Sequence, residues 1–111
     1  MNRDRFPSGQ YDRKIIIEQL TVSQDADYAS EVRTYSTFLS TWAKVIKEAG
    51  REIFAARQLN AEIDTIFQIR WTENMKSTMR ISYNNEYYYI YFFREVGRKE
   101  AINIYTKARR Q

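Results

Sequence analysis

The sequence predicts a mainly β protein: a small antiparallel β-barrel or sandwich of five or six strands with one short α-helix around residues 50–59. Short runs rich in β-branched and aromatic residues recur along the chain, and turn-forming residues separate them. Only one stretch has the composition and spacing of a helix. Nine Tyr, six Phe and two Trp strengthen the β preference, because large aromatic side chains favour half-buried pleated surfaces. Strands at such short spacing are typical of antiparallel barrels and sandwiches.

Two strands are predicted in the first half of the chain. Residues 13–20 form the first, and the two-residue period of a strand places Ile15 and Ile17 on one face. A polar loop follows at residues 23–30. Residues 32–47 form a long second strand, rich in Thr, aromatic and β-branched residues. Its alternation is imperfect, which predicts a β-bulge at residues 39–41.

The predicted helix follows Gly50, where the composition changes to good helix formers. Ile53, Ala56 and Arg57 recur at the three- and four-residue spacing that places them on one helical face. Two turns are too short for an independently stable helix. We therefore expect this segment to be held by packing or by a partner.

The second half of the chain contains the remaining strands, predicted at residues 61–71, 79–83, 86–94 and 101–105. Asn84-Asn85 predicts a tight turn between two of them, because Asn tolerates positive φ. Gly97 marks a further turn. We treat residues 1–111 as one domain with flexible ends at residues 1–10 and 107–111.

Apolar residues that follow the strand period define the predicted core. Its anchors are Ile15, Ile17, Trp42, Phe67, Ile69, Ile81, Ile90 and Ile102.

Composition excludes several classes of function. The chain has neither His nor Cys, so it offers no Ser-His-Asp triad, no disulfide and no ordinary zinc site. We predict no catalytic residue, no cofactor, no metal site and no enzymatic activity. Lys and Arg number 18 against 14 Asp and Glu, a moderate excess that favours DNA or acidic proteins without selecting between them. Neither a signal-peptide-like start nor a membrane-spanning apolar run is present, which predicts a soluble cytoplasmic product without a membrane partner.

Several sequence blocks, in this order, resemble one family of proteins. They are Asp12-Arg13-Lys14-Ile15-Ile16-Ile17-Glu18-Gln19, Trp42-Ala43-Lys44-Val45, Gly50-Arg51-Glu52-Ile53-Phe54-Ala55-Ala56, Ile69-Arg70-Trp71, Met79-Arg80-Ile81, Tyr88-Tyr89-Ile90 and Gly97-Arg98-Lys99-Glu100-Ala101-Ile102-Asn103-Ile104. In this order the blocks are similar to those of the head–tail joining (head-closure) proteins of tailed bacteriophages. The chain departs from the family at Asn84-Asn85, where Asp-Gly is commoner, and in its heavier aromatic content after that turn.

The resemblance implies a structural virion protein at the head–tail interface, assembled in the host bacterial cytoplasm. Such proteins form a ring, typically dodecameric, on the portal and adaptor complex after DNA packaging. The ring continues or closes the DNA channel and provides the surface where the tail docks. Implied partners are therefore further copies of the chain, the portal, adaptor and tail proteins, and packaged DNA through non-specific contact. A monomer in isolation is compatible with this role, because the portal and adaptor can act as the template.

The aromatic run at residues 86–94 is a candidate contact surface. In a regular strand Tyr88, Ile90 and Phe92 share one face, and the resemblance assigns Tyr88 and Ile90 to the core. The opposite face then carries Tyr87, Tyr89, Tyr91 and Phe93. Two interpretations stay open: this row contacts a subunit or the adaptor, or the helix or another sheet covers it.

The segment at residues 50–60 is the candidate channel-facing element, with Arg51, Glu52, Arg57 and Gln58 as its candidate residues. An ordinary helical cap over one barrel end is the competing interpretation. From another class of function, the tyrosine run also suggests a small OB-like barrel that binds single-stranded nucleic acid by base stacking. That alternative requires cations among the tyrosines, and the row itself contains none before Arg94.

Overall fold

A computed structural model of the chain describes residues 11–24, 30–47 and 51–109. The elements in chain order are β1 (Arg13–Gln24), β2 (Glu31–Lys47), α1 (Arg51–Leu59), β3 (Thr65–Arg70), β4 (Arg80–Tyr83), β5 (Glu86–Val96) and β6 (Ala101–Arg109). All neighbouring strands are antiparallel, and they close into a barrel in the order β1-β2-β3-β6-β5-β4. The prediction of a mainly β barrel with one short helix is confirmed.

Several strands are longer than the sequence predicts. Strand β1 continues to Gln24 and β6 continues to Arg109, so part of the predicted flexible C-terminal end lies in the sheet. Strand β3 is shorter and begins only at Thr65. The other predicted flexible end, residues 1–10, lies outside the described residues.

The barrel interior is filled by aliphatic and aromatic side chains from all six strands. Tyr88 and Phe67 are the largest of them, and their rings meet edge to face with centroids 4.9 Å apart. The predicted anchors buried in this core are Ile15, Ile17, Phe67, Ile69, Ile81, Ile90 and Ile102.

Trp42 is the predicted core anchor that the structure contradicts. Its side chain is 51% exposed on the outside of the barrel, while its neighbour Ala43 is fully buried. Because successive side chains of a strand alternate between faces, the inward position in this part of β2 belongs to Ala43. Lys14, the residue paired with Trp42 across β1 and β2, holds its ammonium 5.3 Å from the indole ring centroid.

Two β-bulges interrupt the regular alternation. In the β1–β2 pair, Ile17 faces Leu39 and Glu18 faces Thr37, so Phe38 is the extra residue. The bulge predicted at residues 39–41 therefore lies one residue earlier. In the β5–β6 pair, Ile90 faces Thr106 and Phe92 faces Tyr105, so the extra residue there is Tyr91. A bulge reverses which side chains face inward, and this second bulge reassigns the aromatic run.

Helix α1 packs against the outside of the barrel and creates a second, smaller core. Ile53 and Ala56 of the helix are buried against Ile63 and Ile66. Side chains from the outer face of the sheet complete this core: Ile46, Tyr91, Phe92 and Tyr105. The short helix is therefore held by tertiary packing, as its length requires.

Two turns depend on positive φ. Asn84 and Asn85 have φ values of 53° and 65°, and they form the two-residue turn that joins Tyr83 to its partner Glu86. Positive φ at both central positions defines a type I′ turn, whose twist matches that of a hairpin. In the β5–β6 turn Gly97 has φ 65°, and a Cβ there would lie 1.7 Å from the Glu100 carboxylate.

Strands β1 and β2 extend beyond the barrel as a two-stranded hairpin. Strand β4 pairs with β1 only from Ile16 to Glu18, and β3 pairs with β2 only from Ala43 to Lys47. Residues 19–24 and 31–36 pair only with each other among the described strands, from Gln19 with Ser36 to Gln24 with Glu31. We call these residues the arm.

Replacing Phe67 by Ala tests the barrel core. We expect a loss of about 3–5 kcal/mol in the free energy of unfolding, because the ring is fully buried and its removal leaves a cavity. Phe54→Ala is the matched control, since Phe54 is 70% exposed and its loss should cost less than about 0.5 kcal/mol. Urea unfolding monitored by circular dichroism measures both, and equal losses would contradict the assignment of Phe67 to the core.

Lys47 gives the barrel an alkaline pH dependence. Its Nζ donates a 2.8 Å hydrogen bond to the Tyr88 hydroxyl, which raises the pKa of Lys47 above 10.5 although burial acts in the opposite direction. A raised folded-state pKa contributes stability that is fully present below pH 10.5 and is lost as the pH rises through the folded value. We expect the stability difference between the wild type and Lys47→Met to shrink above that pH in urea titrations. A difference that stays constant across the alkaline range would contradict this linkage.

Candidate assembly surfaces

The predicted row of four aromatic side chains does not share one face, because of the bulge at Tyr91. Tyr87 and Tyr89 lie on the outside of the barrel, opposite Arg109 and Lys107 of β6. Tyr91 packs against the core under helix α1, and Phe93 packs against the barrel core. Phe92, expected inside, instead stacks on Tyr105 on the outer face with centroids 4.4 Å apart. The alternation used to predict the row is valid through Tyr91 and fails from Phe92 onward.

Arg80 organises the outer tyrosines into what we call the Arg80 cluster: Glu18, Tyr35, Arg80, Tyr87 and Tyr89. Its guanidinium carbon lies 3.6 Å from the ring centroid of Tyr35 and 3.6 Å from that of Tyr87. Arg80 Nε donates a 2.6 Å hydrogen bond to Glu18, and a second guanidinium nitrogen donates to the Tyr89 hydroxyl over 3.3 Å. The planar guanidinium is therefore stacked between two rings while its edges are occupied by hydrogen bonds, an arrangement that a lysine ammonium cannot reproduce.

The ion pair in this cluster is largely removed from water. The side chains of Arg80 and Glu18 are 14% and 20% exposed. Burial lowers the pKa of Arg80, but the hydrogen bonds and the charge attraction from Glu18 and Tyr89 together outweigh it, so that the net shift of the pKa is upward. Removing one member of such a pair leaves the other charge desolvated without its partner, which is strongly destabilising.

The cluster joins the base of the arm to the rest of the barrel. Glu18 and Tyr35 belong to β1 and β2, whereas Arg80 belongs to β4 and the two tyrosines to β5. Glu18 and Arg80 are also the last paired residues of the β1–β4 seam. Sequence reasoning placed Arg80 only in a short strand, and it had no means of pairing it with a carboxylate 62 positions away.

A pocket of about 390 Å³ lies beside Trp42 on the outside of the barrel, lined also by Tyr11, Thr41 and Arg70. Tyr11 covers the outside of β3, where its hydroxyl donates a 3.0 Å hydrogen bond to Gln68. The Arg70 guanidinium carbon lies 5.5 Å from the Tyr11 ring centroid. Burial raises the pKa of Tyr11, and the nearby Arg70 charge opposes that shift. The pocket thus combines an exposed indole with positive charge.

Helix α1 presents all four candidate channel-facing residues to solvent: Arg51, Glu52, Arg57 and Gln58. Arg57 Nε also donates a 3.0 Å hydrogen bond to the Ile63 carbonyl, which ties the last turn of the helix to the following loop. Two large apolar side chains are exposed on the same helix, Phe54 at 70% and Leu59 at 61%. The helix therefore covers the barrel with one face and carries charged and apolar side chains on its exposed surface.

The carboxylate of Asp64, which follows helix α1 and precedes β3, has a structural role. Asp64 accepts hydrogen bonds from the Ala108 amide and the Thr65 hydroxyl, and the buried Thr106 hydroxyl donates to the Thr65 carbonyl. Among residues 11–24, 30–47 and 51–109 no three acidic side chains come together in a way that could hold a metal ion. Within the same ranges no helix has the length and apolar character needed to cross a membrane.

Comparison with known structures supports the barrel architecture. The solution structure of protein SF1141 from Shigella flexneri 2a matches with a TM-score of 0.66 and 17% sequence identity, over 92% of this chain and 96% of that one. At this identity the likeness concerns the fold alone. No curated protein matches the chain.

Comparison with protein families goes further than the fold. The model of the phage head completion protein family matches residues 6–108, which is nearly the whole chain. The chain therefore belongs to the phage head completion protein family, and the resemblance drawn from the sequence blocks is confirmed. Membership makes it a structural component of a phage head that works together with other virion proteins.

Replacing Arg80 by Leu tests the Arg80 cluster. We expect a loss of about 2–4 kcal/mol in the free energy of unfolding, because Glu18 would remain desolvated without its partner. Arg33→Leu is the matched control: its ion pair with Glu31 is more than 60% exposed on both sides and should contribute at most about 1 kcal/mol. Urea unfolding of both variants decides the matter, and comparable losses would show that the cluster is no stronger than a surface ion pair.

Proposed function

We propose that this chain forms a ring on the portal and adaptor complex, where it continues or closes the DNA channel and provides the tail-docking surface. The family match over residues 6–108 is the observation that carries this proposal, because head completion requires a component added to the filled head. Its partners on this proposal are further copies of itself, the portal and adaptor proteins, and the tail. Assembly would take place in the host cytoplasm, at the head–tail interface of the virion.

The exposed surface supports a role in assembly. Trp42, Phe54 and Leu59 have large apolar side chains. Each of them is more than half exposed instead of being buried in one of the two cores. Large aromatic side chains are enriched at protein interfaces, where they bury much area at small entropic cost. Trp42 lies beside the pocket and Phe54 on α1, so the exposed apolar side chains belong to separate parts of the surface.

Helix α1 is the proposed channel-facing element, through Arg51, Glu52, Arg57 and Gln58. Cations that line a channel would contact DNA phosphates without reading sequence, as a conduit for a whole genome requires. The neighbouring charges of Arg51 and Glu52 also suit pairing between adjacent subunits. Under that arrangement the helix would line the ring while its apolar face stays on its own barrel.

The outer tyrosines give little support to the nucleic-acid-binding alternative. Tyr87 is covered by the Arg80 guanidinium, and Arg109 lies 5.3 Å from the Tyr89 ring centroid. The cations that the alternative requires are thus supplied by neighbouring strands rather than by the row itself. One of them is already neutralised by Glu18, and the predicted row itself offers no open run of rings for successive bases, because Tyr91 and Phe93 pack against the two cores.

Electron microscopy of this protein co-expressed with the portal and adaptor proteins encoded beside it tests the proposal. We expect an additional ring of density on the adaptor, with helix α1 facing the channel axis. A ring in which α1 faces outward would overturn the channel-facing assignment and retain the joining role. Absence of the ring, with the protein folded by circular dichroism, would refute the joining role. In that event a salt-dependent affinity for short single strands of DNA would favour the nucleic-acid alternative.

A further inference from the structure

The arm carries two backbone edges that no other described strand pairs with. Past Glu18 no described strand other than β2 pairs with β1, and from Glu31 to Trp42 no described strand other than β1 pairs with β2. Every second amide and carbonyl along such an edge points away from the hairpin. Unpaired strand edges of this kind are templates for pairing with another strand.

The sequence of the arm does little to protect these edges. Natural proteins usually blunt an exposed edge with Lys, Pro or inward-pointing charge, but residues 19–24 and 31–36 contain neither Lys nor Pro. Their charges are Glu31 and Arg33, which pair with each other over 3.2 Å. Residues 21–24 and 31–34 are all exposed, and Val22 is 50% exposed. A two-stranded hairpin with so little packing is marginally stable by itself, which indicates that a partner completes it.

A second copy of the chain fits these edges. In an antiparallel hairpin the free edge of β1 and the free edge of β2 lie on opposite sides and run in opposite directions. When two arms lie side by side in the same orientation, the β1 edge of one therefore meets the β2 edge of the next in antiparallel fashion. Within the arm the two edges match in length, residues 19–24 against residues 31–36, and residues 19–24 carry no charge that would repel Glu31 or Arg33. Each copy then uses both edges, and such a head-to-tail contact closes into a ring when the rotation from one copy to the next divides a full turn.

We propose that the arms of neighbouring copies pair edge to edge, β1 of one with β2 of the next, and form one continuous antiparallel sheet around the ring. This inference rests on the proposed ring and names the contact that holds its subunits together. The Arg80 cluster prepares the arm for this contact, because it binds Tyr35 and Glu18 to the barrel at the base of the arm. An arm held in one direction loses less entropy when it meets its neighbour.

Cysteine cross-linking in the assembled ring tests the pairing directly, because the chain has no native cysteine. Thr21→Cys protein is mixed with Val32→Cys, Thr34→Cys or Ser36→Cys protein, assembled on the portal and adaptor, and oxidised. These three β2 positions share the face of Thr21, which pairs with Thr34. We expect a disulfide-linked dimer in at least one mixture. Thr21→Cys alone should give none, because equivalent positions would lie two strands apart, about 9.5 Å, beyond disulfide reach.

Rings that form without a dimer in any mixture would overturn the edge pairing. So would a dimer of Thr21→Cys alone in equal yield, because it would place like edges together. The oxidised samples are compared with the same mixtures left unassembled, where a dimer in equal amount would also count against the proposal.

Shortening the arm separates this inference from the proposed function. Deletion of residues 21–24 together with residues 31–34 removes paired residues only and retains the Arg80 cluster. We expect the wild type to form the ring on the adaptor and the shortened protein to lose it. A ring formed by both proteins would refute the arm contact and leave the joining role intact. A ring formed by neither would refute the proposed function itself.

Discussion

Closure of the barrel between β1 and β4 is the constraint on which the rest of the structure depends. This seam consists of three residue pairs, Ile16 with Ser82, Ile17 with Ile81 and Glu18 with Arg80. At its inner side Ile17 and Ile81 join the core, and at its outer side Glu18 pairs with Arg80, whose guanidinium is stacked between two tyrosine rings. A seam this short has few backbone hydrogen bonds between its strands. Side-chain packing and the shielded ion pair therefore provide the additional stabilisation.

The seam also determines where the hairpin leaves the barrel. Beyond Glu18 no described strand other than β2 pairs with β1, and the hairpin extends by itself as the arm. Glu18 is therefore the last paired residue of the seam, and through its ion pair with Arg80 it also anchors the arm. This arrangement keeps the arm outside the core while fixing its direction, which is what the proposed contact between arms requires.

Aromatic residues stabilise this small protein from both sides of one sheet. Phe67, Tyr83 and Tyr88 pack edge to face within the barrel, whereas Phe92 and Tyr105 stack under helix α1. The bulge at Tyr91 makes this division possible, because the side chains after it alternate in the opposite sense to those before it. A regular strand would have placed Phe92 inside the barrel and left Phe93 outside. The second, smaller core outside the barrel packs against helix α1, which is too short to be stable alone.

The sequence by itself determined the fold class, the helix, the turn at Asn84-Asn85, most core positions and the family. These follow from local properties: residue propensity, the two-residue period and the order of short motifs. The tertiary structure decided which aromatic side chains of β5 face outward, the exposure of Trp42, the Arg80 cluster and the edges of the arm with which no other described strand pairs. A bulge depends on how two strands align, and an ion pair between residues 18 and 80 depends on closure of the barrel. Neither feature produces a periodic pattern in the sequence, because both arise from strands that meet only after the chain has folded.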